Sequence, residues 1–402
     1  MTPTQELRQR RTKTRPRLMM VTTCLSLTGG AETQVVNMAA GLSRRGWDVE
    51  IVTMLPLCPP LPDFRGAQVR VTSLEMERGV RGVRGLAGFL RFLSEVRDRR
   101  PDVVHSHMTH ASLLTRTARP FCPMPVLICT LHGHKMYSVK AEGAALRELA
   151  HRLTDGLADI TTAVSEAAGE RYARVKAVSR KRLMVIPNGI PEEAYAPNQV
   201  VRLRERRNLN LRDEFAWLAV GRLEKVKDYA TMLRAFPVAL EADVAQVLLI
   251  AGAGSQRPHL DALAEELGIA PYVRFLGVRT DIPQLMQAAD GLVLSSVFEG
   301  MPLVMLEAGV SGLPMVATRV GGNAEVLPPE QRMLLVPPRR PRELGLAMQR
   351  LACLSDAERR AMGEAAREFV LSRFGMDAIL DQWEELYTRL LEQKRIPETV
   401  EI

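Results

Sequence analysis

Short apolar runs alternate with longer amphipathic stretches along most of the chain. A run such as Val126-Leu127-Ile128-Cys129 is apolar on both faces, as parallel strands are when helices cover both sides of their sheet. Helical periodicity falls between the runs. The first half of the chain predicts strands at Leu18–Thr23, Val49–Leu55, Val69–Leu74, Asp102–His107, Val126–His132, Asp159–Ser165 and Leu183–Pro187, with helices at Glu32–Arg45, Leu86–Arg99 and Ala141–Gly156. This alternation predicts βαβ units and a doubly wound parallel sheet.

The alternation stops at the turn-forming segment Pro187-Asn188-Gly189-Ile190-Pro191 and then restarts. The second half predicts strands at Phe215–Gly221, Val247–Ala251, Val273–Gly277, Gly291–Val297, Pro314–Thr318 and Met333–Val336. We therefore expect a basic flexible tail at residues 1–16, one Rossmann-like domain at 17–190 and a second at 191–375. Residues 376–393 predict an amphipathic helix with an apolar stripe at Ile379, Leu380, Trp383, Leu386, Tyr387 and Leu390.

Composition narrows the class of protein. The chain has 402 residues, of which 46% are hydrophobic and 5% aromatic, as in globular α/β proteins. No apolar run approaches the roughly 20 residues of a membrane span. The five cysteines are scattered, which predicts a reducing, cytoplasmic environment without a disulfide framework or a zinc cluster. The basic start followed by Leu18-Met19-Met20-Val21 also fits a secretory signal, but a first strand explains it better because Thr22 and Thr23 interrupt the apolar run at once.

Charge is unevenly distributed between the two halves. Residues 1–190 contain 29 Lys and Arg against 16 Asp and Glu, a net of +13, whereas the remainder contains 25 against 30, a net of −5. A basic first half suggests an anionic partner such as an acidic membrane surface, a lipid-linked phosphate or a nucleic acid. A solvated basic face without a partner is an equally open interpretation.

The segment from Ser295 to Ala308 contains the richest chemistry. It is expected to leave a strand, turn through Glu299 and Gly300, and enter a helix with Pro302 in its first turn. The free N–H groups of Leu303 and Val304 would then form a site for a diphosphate at the helix start. Glu299 and Glu307 could reach hydroxyl groups at two ends of one elongated ligand. Two surface glutamates beside a buried helix are the plain structural alternative.

A second segment, from Val220 to Asp228, places two cations after a predicted strand. Arg222 and Lys227 lie beyond the carboxyl end of that strand, where open α/β sheets bind ligands. Cations in a water-poor cleft would stabilise negative charge on a ligand bound there. The sequence contains no Asp-x-Asp motif, so we expect these side chains to take the place of a divalent metal. A surface Arg and Lys without a ligand is the alternative.

Two further segments of the first half could line a cleft. Gly29 and Gly30 join the first strand to the first helix and would let a ligand approach the backbone closely, although the segment is not the dinucleotide fingerprint G-x-G-x-x-G. His132 ends a predicted strand and should project into the same cleft. His105 and His107 share one face of a strand. We expect them to be structural or to line the cleft rather than to bind a metal, because no third ligand type is nearby.

Together these segments resemble the signature of family 4 glycosyltransferases, which are retaining, nucleotide-sugar-dependent enzymes of the GT-B architecture. The resemblance runs from Gly29 to about Glu325, includes the Gly321-Gly322-Asn323-Ala324-Glu325 turn, and shows no departure at a motif position. It implies two Rossmann-like domains facing across a cleft. It also implies that the final helix crosses back onto the first domain.

The resemblance also implies roles for individual residues. Glu307 would bind the ribose hydroxyls and Glu299 would face the donor sugar, with Gly300 in the turn between that carboxylate and the helix. Arg222 and Lys227 would hold the diphosphate, and Gly29 and Gly30 would close over it from the opposite domain. His132 would lie beside the donor sugar and the acceptor, and Glu325 would support its loop. Catalysis would use neither a protein nucleophile nor a metal cofactor.

The sequence therefore predicts transfer of a hexosyl unit from a UDP- or GDP-sugar to a glycan or lipid-linked acceptor, in cell-surface polysaccharide or glycolipid synthesis. Peripheral attachment to the inner face of the cell membrane is a further expectation. A sugar-nucleotide epimerase or hydrolase of similar architecture is one alternative. A nucleic-acid-binding module is a weaker one, since basic motifs interleaved with aromatics are missing and no nucleic-acid partner is expected. Acceptor contacts are expected around Leu55–Gly66 and Tyr137–Ala141, where nothing is diagnostic.

Overall fold

The computed structural model describes residues 15–26, 29–57, 59, 61–77, 83–133 and 144–395. Most of the predicted tail, residues 27 and 28 of the glycine loop, and the predicted acceptor segment Tyr137–Ala141 lie outside this range. The first sheet has seven strands, β1 (Arg17–Thr22), β2 (Asp48–Thr53), β3 (Val69–Ser73), β4 (Val103–His107), β5 (Val126–Leu131), β6 (Ile160–Ala163) and β7 (Leu183–Val185). All of its strand pairs are parallel, in the order β3-β2-β1-β4-β5-β6-β7.

The second sheet repeats this order with six parallel strands. They are β8 (Phe215–Val220), β9 (Gln246–Ala251), β10 (Val273–Gly277), β11 (Gly291–Leu294), β12 (Met315–Thr318) and β13 (Leu335–Val336), arranged β10-β9-β8-β11-β12-β13. In both sheets the chain order reverses at one place, between β1 and β4 and between β8 and β11. Doubly wound sheets bind ligands at this switch point, beyond the carboxyl ends of the strands.

Helices cover both faces of each sheet. Those of the first half are α1 (Gly30–Arg44), α2 (Val83–Arg99), α3 (Thr109–Ala118), α4 (Ala144–Thr154) and α5 (Glu166–Arg174). They are followed by α6 (Gln199–Asn208), α7 (Tyr229–Ala239), α8 (Arg257–Glu266), α9 (Ile282–Ala288), α10 (Leu303–Val310), α11 (Asn323–Val326), α12 (Pro341–Ala352), α13 (Asp356–Phe374) and α14 (Met376–Arg395). The predicted α/β class with GT-B architecture is confirmed.

The final helix α14 packs on the first sheet, although it follows the last helix of the second domain. Its apolar stripe joins α1 in one core cluster, in which Trp383 and Tyr387 are buried. Arg45 at the end of α1 pairs with Asp377, Asp381 and Glu384 of α14. The helix thus ties the two halves of the chain together.

The segment between the two sheets is held in place by the chain that leads into α14. The Ile190 N–H donates to the carbonyl of Phe374 at 2.9 Å, and the Met376 N–H donates to the carbonyl of Ile190 at 3.0 Å. Asn188 is buried, and its side-chain amide donates to the carbonyl of Met301 at 3.0 Å. Two segments of the chain, the predicted linker and the segment that leads into α14, therefore pass side by side between the two sheets. The domain boundary between residues 190 and 191 stays a prediction.

In the described part of the chain, none of the helices combines the length and the apolar character needed to cross a bilayer.

Candidate active site

The loop after β11 places Glu299 beside Lys227 from the loop after β8. The Lys227 Nζ lies 2.7 Å from Glu299 Oε1, and the two side chains are 18% and 11% exposed. Ser296 Oγ donates to the same carboxylate oxygen at 2.6 Å. Since β8 and β11 flank the switch point of the second sheet, the ion pair lies where a ligand is expected.

The loop that carries Arg222 and Lys227 is shaped by a close approach of two backbones. Gly221 has φ of +149°, and a Cβ on Gly252 would lie 2.0 Å from the Gly221 carbonyl oxygen. A Cβ on Gly254 would lie 2.4 Å from the carbonyl oxygen of Leu223. These glycines after β9 let the loop after β8 lie flat, with the Arg222 side chain exposed at the sheet edge.

Helix α10 begins one residue later than predicted. Pro302 is its N-cap rather than part of its first turn, because ψ of 120° at Pro302 is extended, and the preceding strand ends at Leu294 rather than Val297. Leu303 and Val304 are the first helical residues. Within the described residues their N–H groups have no protein acceptor, as expected for a helix start. The predicted diphosphate donors are therefore available at this edge.

Glu307 lies in the second turn of α10 and is partly buried. Burial raises the pKa of Glu307 to about 7, and a hydrogen bond from the Tyr195 hydroxyl acts in the opposite direction. Burial, followed by the charge of Glu307, raises the pKa of Tyr195 well above its usual value, so this phenol stays a donor. Burial therefore moves the titration of the Glu307 carboxyl toward neutral pH.

The glycine pair of the first domain faces this helix across the cleft. A Cβ on Gly30 would lie 3.8 Å from the Leu303 side chain. Gly29 is the N-cap of α1, and the Glu32 side chain folds back over it, so that a Cβ there would lie 2.0 Å from Glu32 Oε2. Cys24 Sγ lies 3.3 Å from the other carboxylate oxygen. The start of α1, predicted to bind phosphate, thus holds an acidic side chain of its own.

His132 follows β5 and belongs to a row of imidazole rings. Its Nε2 lies 3.1 Å from His107 Nδ1, and the rings of His105 and His107 are 4.1 Å apart. Burial, then the neighbouring histidines, lowers the pKa of His107 well below its usual value, and lowers that of His105 to about 3. His105 also bonds Tyr387 of α14 at 2.7 Å. The two buried rings are therefore neutral.

The two domains touch through backbone at this site. Gly133 has φ of +67°, and a Cβ there would lie 2.6 Å from the Gly300 Cα. Conversely, a Cβ on Gly300 would lie 2.4 Å from the carbonyl oxygen of His132. Both positions require glycine, the first for its conformation and both for the approach. Gly300 thus brings the Glu299 turn against the loop that carries His132.

Polar contacts join the same surfaces. The Gly300 carbonyl accepts hydrogen bonds from Ser165 Oγ at 2.9 Å and from the Gly322 N–H at 2.8 Å. The Glu325 carboxylate accepts from the N–H groups of Glu166 and Ala167, both at 3.0 Å, at the start of α5. Glu325 was predicted to support its own loop; its carboxylate caps a helix of the opposite domain.

Among the described residues, no group of three or more His, Cys, Asp and Glu side chains is arranged to hold a metal ion. Whether the reaction needs a metal is a separate matter, and metal independence stays a prediction.

The structure brings several of the predicted residues together. Lys227 pairs with Glu299, Gly30 faces Leu303, and the chain at His132 abuts Gly300. Arg222 and Glu307 lie on the same edge of the second sheet. Sequence reasoning missed Tyr195, Ser165, Gly133 and the glycines after β9. Two of these had a signal in the sequence. Ser165 immediately precedes the start of α5, where serine is a common N-cap, and two glycines follow β9 within three residues.

Comparison with known proteins assigns the chain to a family. Residues 29–189 match the family "Glycosyl transferase 4-like domain" and residues 214–353 match "Glycosyl transferases group 1". The chain is 27% identical to the N-acetyl-alpha-D-glucosaminyl L-malate synthase of Bacillus anthracis, over 92% of this chain and 96% of that protein. It is 30% identical to the Escherichia coli UDP-Gal:alpha-D-GlcNAc-diphosphoundecaprenol alpha-1,3-galactosyltransferase, over 55% and 59% of the two chains.

A solved structure has the same fold. Anabaena HepE, crystallised in complex with UDP and glucose, superimposes with a TM-score of 0.77 at 20% identity and covers 93% of this chain and 100% of its own. With both family matches falling on the two sheets described above, the chain belongs to the family 4 glycosyltransferases.

Proposed function

We propose that the protein is a retaining, metal-independent hexosyltransferase that uses a UDP- or GDP-sugar and acts on a glycan or lipid-linked acceptor. The observation that carries this proposal is the Lys227–Glu299 pair, positioned at the switch point of the second sheet beside the start of α10. A cation and free N–H groups at one edge suit a diphosphate, and carboxylates on either side suit hydroxyl groups.

The donor would span this edge. Its diphosphate would contact Arg222, Lys227 and the α10 start, while its ribose would lie at Glu307. The carboxylate of Glu299 both orients Lys227 and faces the site of the donor sugar. The Tyr195 hydroxyl keeps the Glu307 carboxylate in place, so the hydroxyl-binding end of the site is preorganised.

Transfer would proceed without a protein nucleophile. The acceptor hydroxyl would attack the anomeric carbon on the face from which the pyrophosphate departs, and the departing phosphate would take the hydroxyl proton. Negative charge then grows on the leaving group, where Arg222, Lys227 and the helix start stabilise it. His132 would orient the acceptor from the opposite domain. Close packing of Gly133 on Gly300 would exclude water and align the two substrates.

The relatives narrow the substrates to be tested first. The E. coli galactosyltransferase is named for a UDP-sugar donor and a lipid diphosphate acceptor, and HepE was crystallised with UDP. These names favour a uridine nucleotide and an acceptor carried by a lipid, as in polysaccharide or glycolipid synthesis. Free cysteines at positions 24, 122, 129 and 353 suit a cytoplasmic location, where a lipid-linked acceptor would place the enzyme at the inner membrane face.

Two experiments test the proposal. A thermal-shift screen of nucleotide sugars should find one that raises the melting temperature of the full-length protein, because a ligand that binds only the folded state stabilises it. With that donor, product analysis by NMR should show a new glycoside whose anomeric configuration is that of the donor. An isomerised donor, or free sugar formed irrespective of acceptor, would support an epimerase or a hydrolase instead.

A further inference from the structure

Helix α4 (Ala144–Thr154) on the outside of the first domain exposes a leucine stripe. Leu146, Leu149 and Leu153 are 65%, 47% and 74% exposed. They are spaced three and four residues apart, so they lie along one face of the helix. Contiguous exposed apolar surface of this kind marks an interaction site more often than chance solvent exposure.

The inward face of α4 is polar, which inverts the usual arrangement of a surface helix. His151 lies on this inward face and is completely buried. Its Nδ1 lies 3.2 Å from Nη1 of the buried Arg116. Burial, then the charge of Arg116, lowers the pKa of His151 to about 3, so the ring is a neutral partner for that guanidinium. The helix is held by polar contacts and directs its leucines outward.

Helix α2 (Val83–Arg99) presents a second apolar strip on the same side of the sheet. Leu86 and Leu90 are 58% and 55% exposed, and α3 lies between α2 and α4, in contact with both. Phe121, which follows α3, is 61% exposed and packs edge-on against Phe89 of α2. The apolar side chains are thus spread over a broad face rather than gathered in one groove.

Cations border this face. Arg152 on α4 and Lys176 after α5 line an open depression of about 460 Å³ together with Asp155, whose carboxylate pairs with Arg182. No ion pair among the described residues involves Arg152 or Lys176. Arg180 lines it as well but pairs with Glu170. The first 190 residues also carry a net charge of +13. Leucines flanked by Arg and Lys suit the interface of an acidic bilayer, where the acyl chains would take up the leucines and the anionic headgroups would attract the cations.

We propose that α4 lies flat on an anionic lipid bilayer, with its leucines in the interface and Arg152 and Lys176 at the headgroups. Strand β5 ends at Leu131, immediately before His132, and α4 is the next described helix along the chain. Docking through α4 would therefore bring the cleft to the membrane surface. The role of docking in catalysis rests on the proposed transfer to a lipid-linked acceptor. Membrane binding itself can be measured without any substrate.

The test is co-sedimentation of the full-length protein with vesicles. One set is made of phosphatidylcholine alone and the other of phosphatidylcholine mixed with phosphatidylglycerol. We expect binding to the mixed vesicles only, weakening as salt screens the headgroup charge. Leu149→Ser/Leu153→Ser should reduce the partition coefficient by about tenfold or more, since each leucine loses its apolar burial. Arg152→Glu/Lys176→Glu should reduce it as well.

The matched control lies on α6 of the second domain. Val200→Ser/Leu203→Ser changes residues that are 78% and 50% exposed on another arginine-rich helix and should leave vesicle binding unchanged. Equal loss in both variants, or no binding to either vesicle, would overturn the proposal. So would a self-association in solution that Leu149→Ser/Leu153→Ser abolishes while vesicle binding persists.

Turnover with a water-soluble acceptor separates the two proposals. The leucine variant should keep wild-type transfer to that acceptor and lose membrane binding. If the protein binds vesicles as described but releases no nucleotide from any sugar donor, the docking surface is supported and the proposed function is contradicted.

Discussion

The facing edges of the two sheets are built in different ways. The edge of the second sheet carries ionisable side chains, with the Lys227–Glu299 pair, the Arg222 loop and the partly buried Glu307 next to a helix start. Around His132 the edge of the first sheet carries neutral groups, with the buried His105 and His107 behind His132 and a glycine at position 133. The same edge carries the carboxylate of Glu32 at the start of α1.

This difference matches the substrate expected at each edge, the donor at the second sheet and the acceptor at the first. A nucleotide sugar brings phosphates and hydroxyls whose charges a protein can complement with fixed side chains. An acceptor hydroxyl needs chiefly to be positioned, and the first domain achieves this by close backbone packing on the second. We infer that charged side chains select the donor and that contact between the domains positions the acceptor.

The strongest test of the donor edge removes its cation. Lys227→Ala should lower the rate of transfer by about 10²- to 10³-fold, because a positioned charge at the leaving group is lost. The measurement is the initial rate of nucleoside diphosphate release with the donor found by thermal shift. Lys225→Ala is the matched control, since Lys225 is exposed in the same loop, and should keep wild-type rates. Equal rates for both variants would refute the role of Lys227.

The contact between the domains can be broken with one methyl group. Gly133→Ala places a Cβ within 2.6 Å of the Gly300 Cα and strains a φ of +67°. Misplacing the two edges by about 1 Å can cost up to about 10²-fold in rate. The matched control is Gly268→Ala, whose φ is +68° with open space around the Cβ. Gly268→Ala should lose roughly 1–2 kcal/mol of unfolding free energy in thermal melts from its strained φ alone. Gly133→Ala should lose more because of the added clash, and only Gly133→Ala should lose transfer.

The partly buried Glu307 carboxyl of the donor edge predicts a pH dependence. With a pKa of about 7, Glu307 gains its charge as pH rises through neutrality, and the ionised carboxylate is the better acceptor for ribose hydroxyls. Donor affinity should therefore rise between about pH 6 and pH 8 and then level off. Calorimetric titration across this range measures it, and Glu307→Gln should give a flat profile.

Tyr195→Phe sharpens this test. It removes the hydrogen bond that opposes the effect of burial, so the midpoint of the affinity profile should move to higher pH. A midpoint that stays in place in this variant would show that another group titrates.

The smallest expected effect concerns Glu325, which crosses between the domains. Glu325→Ala removes the cap on α5 at a cost of about 1 kcal/mol, and transfer should fall only a few-fold. Initial rates and thermal melts measure both quantities. Glu330→Ala, an exposed carboxylate nearby, should change neither.

Much of this architecture follows from local patterns in the sequence. Every predicted strand exists, because a strand covered on both faces needs a short apolar run, and such runs are visible in the sequence. Some boundaries were wrong: β11 ends at Leu294 rather than Val297, since Ser295 and Ser296 are buried without continuing the ladder. The donor residues could be predicted because they cluster in two contiguous segments.

Contacts between distant segments could not be predicted in this way. Gly133 meets Gly300 across 167 positions of sequence, and Glu325 reaches Glu166 across 159. Tyr195 lies in an irregular stretch with no motif, and only folding brings it to Glu307. The outward leucines of α4 satisfy a helical pattern, but the pattern alone does not say which face is buried.

One measurement tests the central claim most directly. Wild-type protein, Lys227→Ala and Lys225→Ala are titrated calorimetrically with the nucleotide sugar in the presence of a chelator. We predict that the wild type and Lys225→Ala bind equally well with and without the chelator, and that Lys227→Ala loses most of its affinity. Binding that disappears with the chelator and returns with added magnesium or manganese would contradict the account, as would unchanged affinity in Lys227→Ala.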